Sequence, residues 1–262
     1  MVDSESPSTR MTLWEHLQEL RTRLVHSAIA VVAAFAILYM FRFRLWNWTQ
    51  QPFLEALARQ TRTPIAQLQP WAFTDLMEPF ISLMRLTFWA AAFVVAPYLF
   101  YQLWSFIRPA LREQERRLVI PFVLVTSSMF VGGAAFSYCY AFKFIGDILF
   151  LEASRAGLRA NLHIDSYLDL FLYTLLSTGI MFEMPVLAFF LAKFRIITVR
   201  WMLKFWRHCT IVILLVSAFL TPGDVVATMI FFSVILEALY FVSLAVVWVV
   251  QPRKAAEPNA PS

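Results

Sequence analysis

The side chains with the most chemical potential in this chain are carboxylates standing where carboxylates are costly. Glu183 is the sole charge in the apolar run from Leu170 to Ala192, and Glu237 the sole charge from Val225 to Val250. An ionisable group at that depth costs ~2.5–3.5 kcal/mol for the comparable Asp, so each should face protein, a cavity or a partner helix. Met184 and Pro185 follow Glu183, and the proline removes one helical hydrogen bond and can kink the span. For both residues the structural alternative is a neutral glutamic acid filling a single hydrogen bond.

Further acids lie outside the apolar runs, beside arginines. Thr12 stands three residues before Glu15, a capping box that starts a helix. Leu13, Leu17, Leu20 and Leu24 then share one face, and Glu15, Glu19 and Arg23 the other, so residues 12–23 read as an amphipathic helix on the membrane surface, running into the first span. Glu19 either receives a ligand or pairs with Arg23 at i, i+4, worth ~0.2–0.5 kcal/mol. In the stretch Phe106 to Arg117, Glu113 and Glu115 can take a cationic ligand through charge-assisted contacts, or Glu113 can pair with Arg117. Other chemistries lack their residues. The histidines (His16, His26, His163, His208) have no metal-ligand spacing and Cys139 and Cys209 form no Cys-x-x-Cys pair. No Ser/His cluster lies within the apolar runs. Neither an enzyme nor a cofactor is expected.

The elements that must position these groups follow from composition. Of 262 residues 60% are hydrophobic and 15% charged, with 6 Gly, 26 Phe and 9 Trp, against ~45–50% and ~25% in soluble domains. The excess forms six runs: Leu24–Phe41, Leu86–Ile107, Leu118–Phe142, Leu170–Ala192, Cys209–Gly223 and Val225–Val250. About 20 helical residues cross the hydrocarbon, and backbone in lipid must pair internally, so these are helices. Fourteen of the 22 Lys and Arg fall on the face holding both termini: Arg10, Arg21 and Arg23, four in 108–117, five in 193–208, and Arg253 with Lys254. The positive-inside bias puts both termini in the cytoplasm. The net charge of +5 is therefore a topology signal rather than a nucleic-acid patch. The chain is expected to be one six-helix membrane domain over 1–262. Segments 42–85 and 143–169 form outer caps of short helices, and 251–262 forms a flexible tail. The fifth run is short, ~22 Å at ~1.5 Å per residue, and either thins the bilayer or is extended by Phe205 and Trp206.

Four stretches stand out: His16-Leu-Gln-Glu-Leu-Arg-Thr-Arg-Leu24, Tyr101-Gln-Leu-Trp-Ser-Phe-Ile-Arg-Pro-Ala-Leu111 with Glu115-Arg-Arg-Leu118, Phe182-Glu-Met-Pro185 and Leu220-Thr-Pro-Gly-Asp224. They resemble TatC, the multi-spanning receptor subunit of the twin-arginine protein translocase. They occur in the family's order. The resemblance implies an all-α fold of six spans in a concave, glove-like arrangement in the cell inner membrane. It implies a receptor for signal peptides with two consecutive arginines, exporting folded cargo on the proton gradient. Glu115 matches the family's loop carboxylate, Glu19 its N-terminal carboxylate with Arg21 beside it, and Phe106 and Pro109 the positions shaping that site. Glu183 matches the intramembrane carboxylate, Pro52 a proline of the first outer loop and Asp224 the acid of the last outer turn. The implied partners are the signal peptides, single-span TatA/TatB-type subunits, further copies of the receptor complex and the lipid bilayer. Gly223 departs from the family's second proline, and Phe142-Lys143 from its Phe-Pro step. A secondary transporter using Glu183 as an ion or proton site is the alternative; it would show an internal repeat, and the loops share no such pattern.

Overall fold

The structure is a computed structural model that describes residues 13–68, 71–108, 119–158, 162–221 and 226–251. Among the described residues nine α-helices account for nearly all: α1 (Leu13–Tyr39), α2 (Arg42–Thr61), α3 (Glu78–Ile107), α4 (Val119–Phe136), α5 (Phe142–Arg155), α6 (Ile164–Phe182), α7 (Met184–Lys193), α8 (Val199–Leu220) and α9 (Val226–Val250). A π-helical turn, Ser137–Ala141, joins α4 to α5. Among the described residues six stretches are long and apolar enough to cross a membrane: Trp14–Tyr39, Glu78–Ile107, Val119–Arg155, Ile164–Lys193, Val199–Leu220 and Val226–Val250. Each overlaps one expected run, and the first five begin or end beyond it on at least one side. The fifth helix has 22 residues, or ~33 Å; it is extended by Phe205 and Trp206 and is not the short helix its uncharged stretch suggests.

The described residues fall into two compact units, one within Met1–Phe41 and Thr87–Ser127, the other within Arg42–Leu86 and Ser128–Ser262. In the first, α1 presents its apolar side chains outward: Leu17, Leu24, Ile29, Val32 and Ile37 are all exposed. Its polar face turns the other way, with Arg23 against Gln102 of α3. Lipid is as apolar as leucine, so nothing favours hiding the leucines from it, whereas polar groups gain by finding one another.

In the second unit α9 packs on α7 and α8, and α2 on α5. Phe232, Leu236, Tyr240 and Val247 of α9 join Met181, Ala188, Ala192, Met202 and Ile213 in one core cluster. The segment 42–85 contains a 20-residue helix with Pro52 inside it, a three-residue 3-10 helix Ile65–Gln67 and the first turns of α3, where short helices were expected. Proline has no N–H to give the carbonyl four residues back, here that of Trp48. That oxygen accepts instead from Tyr138 Oη at 2.9 Å, and the next, Thr49 O, from Tyr167 Oη at 2.7 Å. Two outside hydroxyls therefore serve the helix around its proline. Phe53 packs on Phe150, Tyr167 and Trp71 with ring centroids 4.9, 5.1 and 5.6 Å away. A two-residue parallel pairing, Trp71 with Leu162 and Ala72 with His163, ties segment 42–85 to the stretch before α6. Ion pairs Lys143–Glu55 (2.8 Å) and Arg59–Asp147 (3.2 Å) link α2 to α5.

Small residues set the closest helix approach. A Cβ on Gly133 of α4 would lie 2.7 Å from Thr178 O and 2.9 Å from Phe182 Cγ, and one on Gly179 of α6 would lie 2.9 Å from the Phe130 ring. These contacts let α4 and α6 meet backbone to backbone, the usual device for helices in lipid.

Candidate functional site

Near the start of α1, His16, Glu19 and Arg23 follow helical spacing down one face. His16 stacks on Phe106 with ring centroids 4.3 Å apart and planes 19° apart. Arg23 donates from Nε to Glu19 Oε1 at 2.9 Å, and its Nη2 points at the same oxygen. Its Nη1 donates to Gln102 Oε1 at 3.3 Å, and Gln102 Nε2 donates to the Tyr98 hydroxyl at 2.5 Å. The side chains of Arg23 and Glu19 are 25% and 21% exposed, so the pair is mostly withdrawn from the surface. Glu19 Oε2 is buried and accepts no hydrogen bond. An acceptor left in that state costs ~1–3 kcal/mol and needs an explanation.

The structure thus brings Glu19 and Phe106 into one neighbourhood through His16 and Gln102, whereas Arg21 is exposed and Arg23 is the arginine engaged with Glu19. Sequence reasoning missed Gln102 and Tyr98. Their signal was available: a Tyr and a Gln four residues apart, in an otherwise apolar run, make one polar stripe on α3. Pro109 and Glu115 lie outside the described residues, as does Asp224.

Glu183 sits at the break between α6 and α7. Its N–H bonds Ile180 O at 3.0 Å, and its carbonyl accepts from Leu187 N at 2.9 Å. Pro185 falls in the first turn of α7, where its missing N–H is no loss, so the expected kink is a one-residue turn at Glu183, whose backbone stays in the helical region. Glu183 Oε1 is buried without a hydrogen-bond partner. Glu237 has one: its Oε1 accepts from Thr210 Oγ1 at 3.0 Å, joining α9 to α8. Pro52 is less than 2% exposed, between the Trp48 carbonyl it leaves without a helical donor and the Phe53 cluster beside it.

A second polar cluster, not foreseen, lies where α3 and α6 begin. Arg85 reaches Asp169 at 2.7 Å and also pairs with Asp165, which accepts from Ser82 Oγ at 3.0 Å. Glu78 Oε2 accepts from Thr74 N at 2.7 Å and Thr74 Oγ1 at 3.0 Å. These caps satisfy the amides left open before α3 and bolt the two helix starts together. Among the described residues no three His, Cys, Asp or Glu side chains gather as metal ligands would.

With this geometry in place, known proteins give the lineage. The family model for the Sec-independent protein translocase protein TatC matches residues 15–234. The TatC proteins of Koribacter versatilis (strain Ellin345) and Helicobacter pylori (strain J99 / ATCC 700824) are 33% and 35% identical to this chain. Each alignment covers 93% of this chain, and 87% and 92% of those proteins. The crystal structure of the twin-arginine translocase receptor TatC superposes with a TM-score of 0.74 at 26% identity, covering 90% of this chain and 99% of that one. Six membrane-capable helices among the described residues agree with that match. The chain belongs to the TatC family of Sec-independent protein translocase proteins.

Proposed function

We propose that this chain is the signal-peptide receptor of a twin-arginine translocase in the cell inner membrane, with both termini and the 108–117 and 193–208 loops on the cytoplasmic side. Two guanidiniums offer ten N–H donors in rigid forks, and Glu19 and Glu115 take one each, with Arg21, Phe106 and Pro109 shaping the surroundings. The observation that carries the reading is Glu19: a mostly buried carboxylate already holding one guanidinium, with its second oxygen left unpaired. Such pairs near a surface are worth only ~0–1 kcal/mol each, so the peptide's apolar stretch supplies the remaining affinity along the spans. Single-span TatA/TatB-type subunits dock at Glu183, where a polar side chain on their helix meets the unpaired Oε1. Transport of folded cargo draws on the proton gradient, and receptor complexes assemble as oligomers. Pro52 and Asp224 hold the outer segments. The solute-transporter alternative falls away, because the relatives are protein translocase components.

The test is binding of synthetic twin-arginine and twin-lysine signal peptides to the chain in nanodiscs. Glu115→Gln weakens capture of the arginine peptide far more than of the lysine peptide. Equal binding of both peptides to the unaltered chain refutes recognition. A topology reporter fused after residue 110 that is active on the outer side refutes the arrangement.

A further inference from the structure

We propose that Arg23 is an internal occupant of the Glu19 site, a resident guanidinium that an incoming arginine must displace and an incoming lysine cannot. The inference rests on the receptor reading and deepens it, by naming what sets the discrimination between the two cations.

The argument starts from the two oxygens of Glu19. Oε1 is taken by two donors of Arg23. Oε2 has no partner and no access to solvent. Neither oxygen is open to an outside cation while the pair stands, so binding at Glu19 requires that Arg23 let go. A different arrangement was available. A guanidinium and a carboxylate can pair fork to fork, satisfying both oxygens. Here both donors converge on one oxygen, and the third nitrogen of the guanidinium is turned to Gln102 Oε1. Gln102, 9% exposed, is itself anchored to the Tyr98 hydroxyl. Arg23 is therefore held by two acceptors on different helices, and it retains Gln102 as a hydrogen-bond partner when its hold on Glu19 opens.

The exchange is unequal for different cations. An incoming arginine replaces one guanidinium by another: donors lost by Glu19 are returned in kind, and a fork-to-fork approach adds the bond that Oε2 lacks. A lysine brings a single ammonium with three donors and no fork, and it cannot replace two convergent N–H groups and also reach Oε2. The resident arginine thus sets a threshold that lysine fails to cross. Arg23 is a specificity-determining positioning residue, distinct from the carboxylates that hold the peptide.

The experiment measures affinities of twin-arginine and twin-lysine peptides for the full chain in nanodiscs, unaltered and as Arg23→Gln and Arg23→Lys. With the threshold removed by Arg23→Gln, affinity for the lysine peptide rises by about tenfold, the scale of one charge-assisted hydrogen bond. Affinity for the arginine peptide rises less, so the ratio between them collapses. Arg23→Lys keeps the charge but loses the fork, and it lowers the ratio in the same direction. A pure charge effect would leave Arg23→Lys like the unaltered chain and raise both affinities equally in Arg23→Gln; that result overturns the proposal. A fall in affinity for the arginine peptide in Arg23→Gln also overturns it, because Arg23 would then be aligning Glu19 rather than occupying it. Should the variants not fold, nitrogen-15 NMR of the unaltered chain decides. The Arg23 Nε–H signal moves on adding the arginine peptide and stays put with the lysine peptide; a signal indifferent to both overturns the exchange. If the unaltered chain does not distinguish the peptides at all, the receptor reading fails first. If it does and both variants distinguish them equally well, only this inference fails.

Discussion

The clearest test of how the outer helix α2 is held lies in Tyr138 and Pro52. Because Pro52 has no N–H, Trp48 O has no donor within its helix, and Tyr138 Oη bonds it at 2.9 Å. Tyr138→Phe removes that oxygen and leaves the ring stacked on Trp48, whose centroid is 4.1 Å away. The loss is thus one hydrogen bond at a partly solvated site, ~0.5–1.5 kcal/mol. Pro52→Ala restores an N–H at position 52, which can close the normal helical bond to Trp48 O. In that background the hydroxyl of Tyr138 has little left to do, and Tyr138→Phe costs close to nothing. The double-mutant cycle therefore yields a coupling of about 1 kcal/mol, read from thermal unfolding in detergent by tryptophan fluorescence. Its sign does not depend on what Pro52→Ala does to packing, because the cycle subtracts that. If Tyr138→Phe costs the same in both backgrounds, Tyr138 does not act by serving the carbonyl freed by the proline, and the account of α2 is wrong. The parallel substitution Tyr167→Phe removes one buried hydrogen bond, to Thr49 O, and costs ~0.5–1.5 kcal/mol, because Phe53, four residues on, still has an N–H to give that carbonyl.

Gly133→Ala forces a Cβ to 2.7 Å from Thr178 O and destabilises by ~1–3 kcal/mol, whereas Gly132→Ala meets nothing within 4 Å and leaves the unfolding temperature unchanged; equal effects would show that α4 and α6 do not touch there. Arg85→Gln leaves Asp165 and Asp169 one turn apart without their shared cation, and it lowers stability by about 1 kcal/mol at low salt and less at high salt, as thermal scans at two ionic strengths will report. Glu183→Gln weakens photocrosslinking to a single-span partner helix by about three- to thirtyfold without moving the unfolding temperature; an unchanged crosslink would remove Glu183 from that contact.

What could be read from the amino-acid order differs by residue, for physical reasons. The spans were legible because apolar length is a sum over neighbours in sequence, and hydrocarbon thickness sets the threshold. The length of α8 was not. Arg200, Lys204 and Arg207 interrupt its apolar run yet lie exposed on the helix that buries Met202, so a count of uncharged residues stops too early. A long helix through Pro52 was not legible, because the carbonyl that proline abandons normally lacks a donor; the hydroxyl that serves it, that of Tyr138, is 90 residues away. At the candidate site the i, i+4 pair of Glu19 and Arg23 was visible, being local. Gln102 stands 79 residues from Arg23, and only the fold brings it there.

The hairpin of α8 and α9 shows the rule that joins these cases. Of the 22 residues of α8 only Met202, Ile213 and Ser217 are buried, too little apolar contact to dock a helix in a medium that competes for every leucine. Polar contacts mark the seam instead. Tyr240 Oη bonds Met202 O at 2.9 Å, Thr210 Oγ1 bonds Glu237 Oε1 at 3.0 Å, and Ser217 Oγ meets Ser233 Oγ at 2.5 Å. On α9 these are positions 233, 237 and 240, an i, i+4, i+7 stripe, and on α8 they ascend as those descend. That is the pattern of two antiparallel helices closed along one edge. Glu237 is therefore one tooth of this seam, while Glu183 Oε1 is buried with no hydrogen-bond partner among the described residues. Two carboxylates that looked alike in sequence part company on a single hydrogen bond.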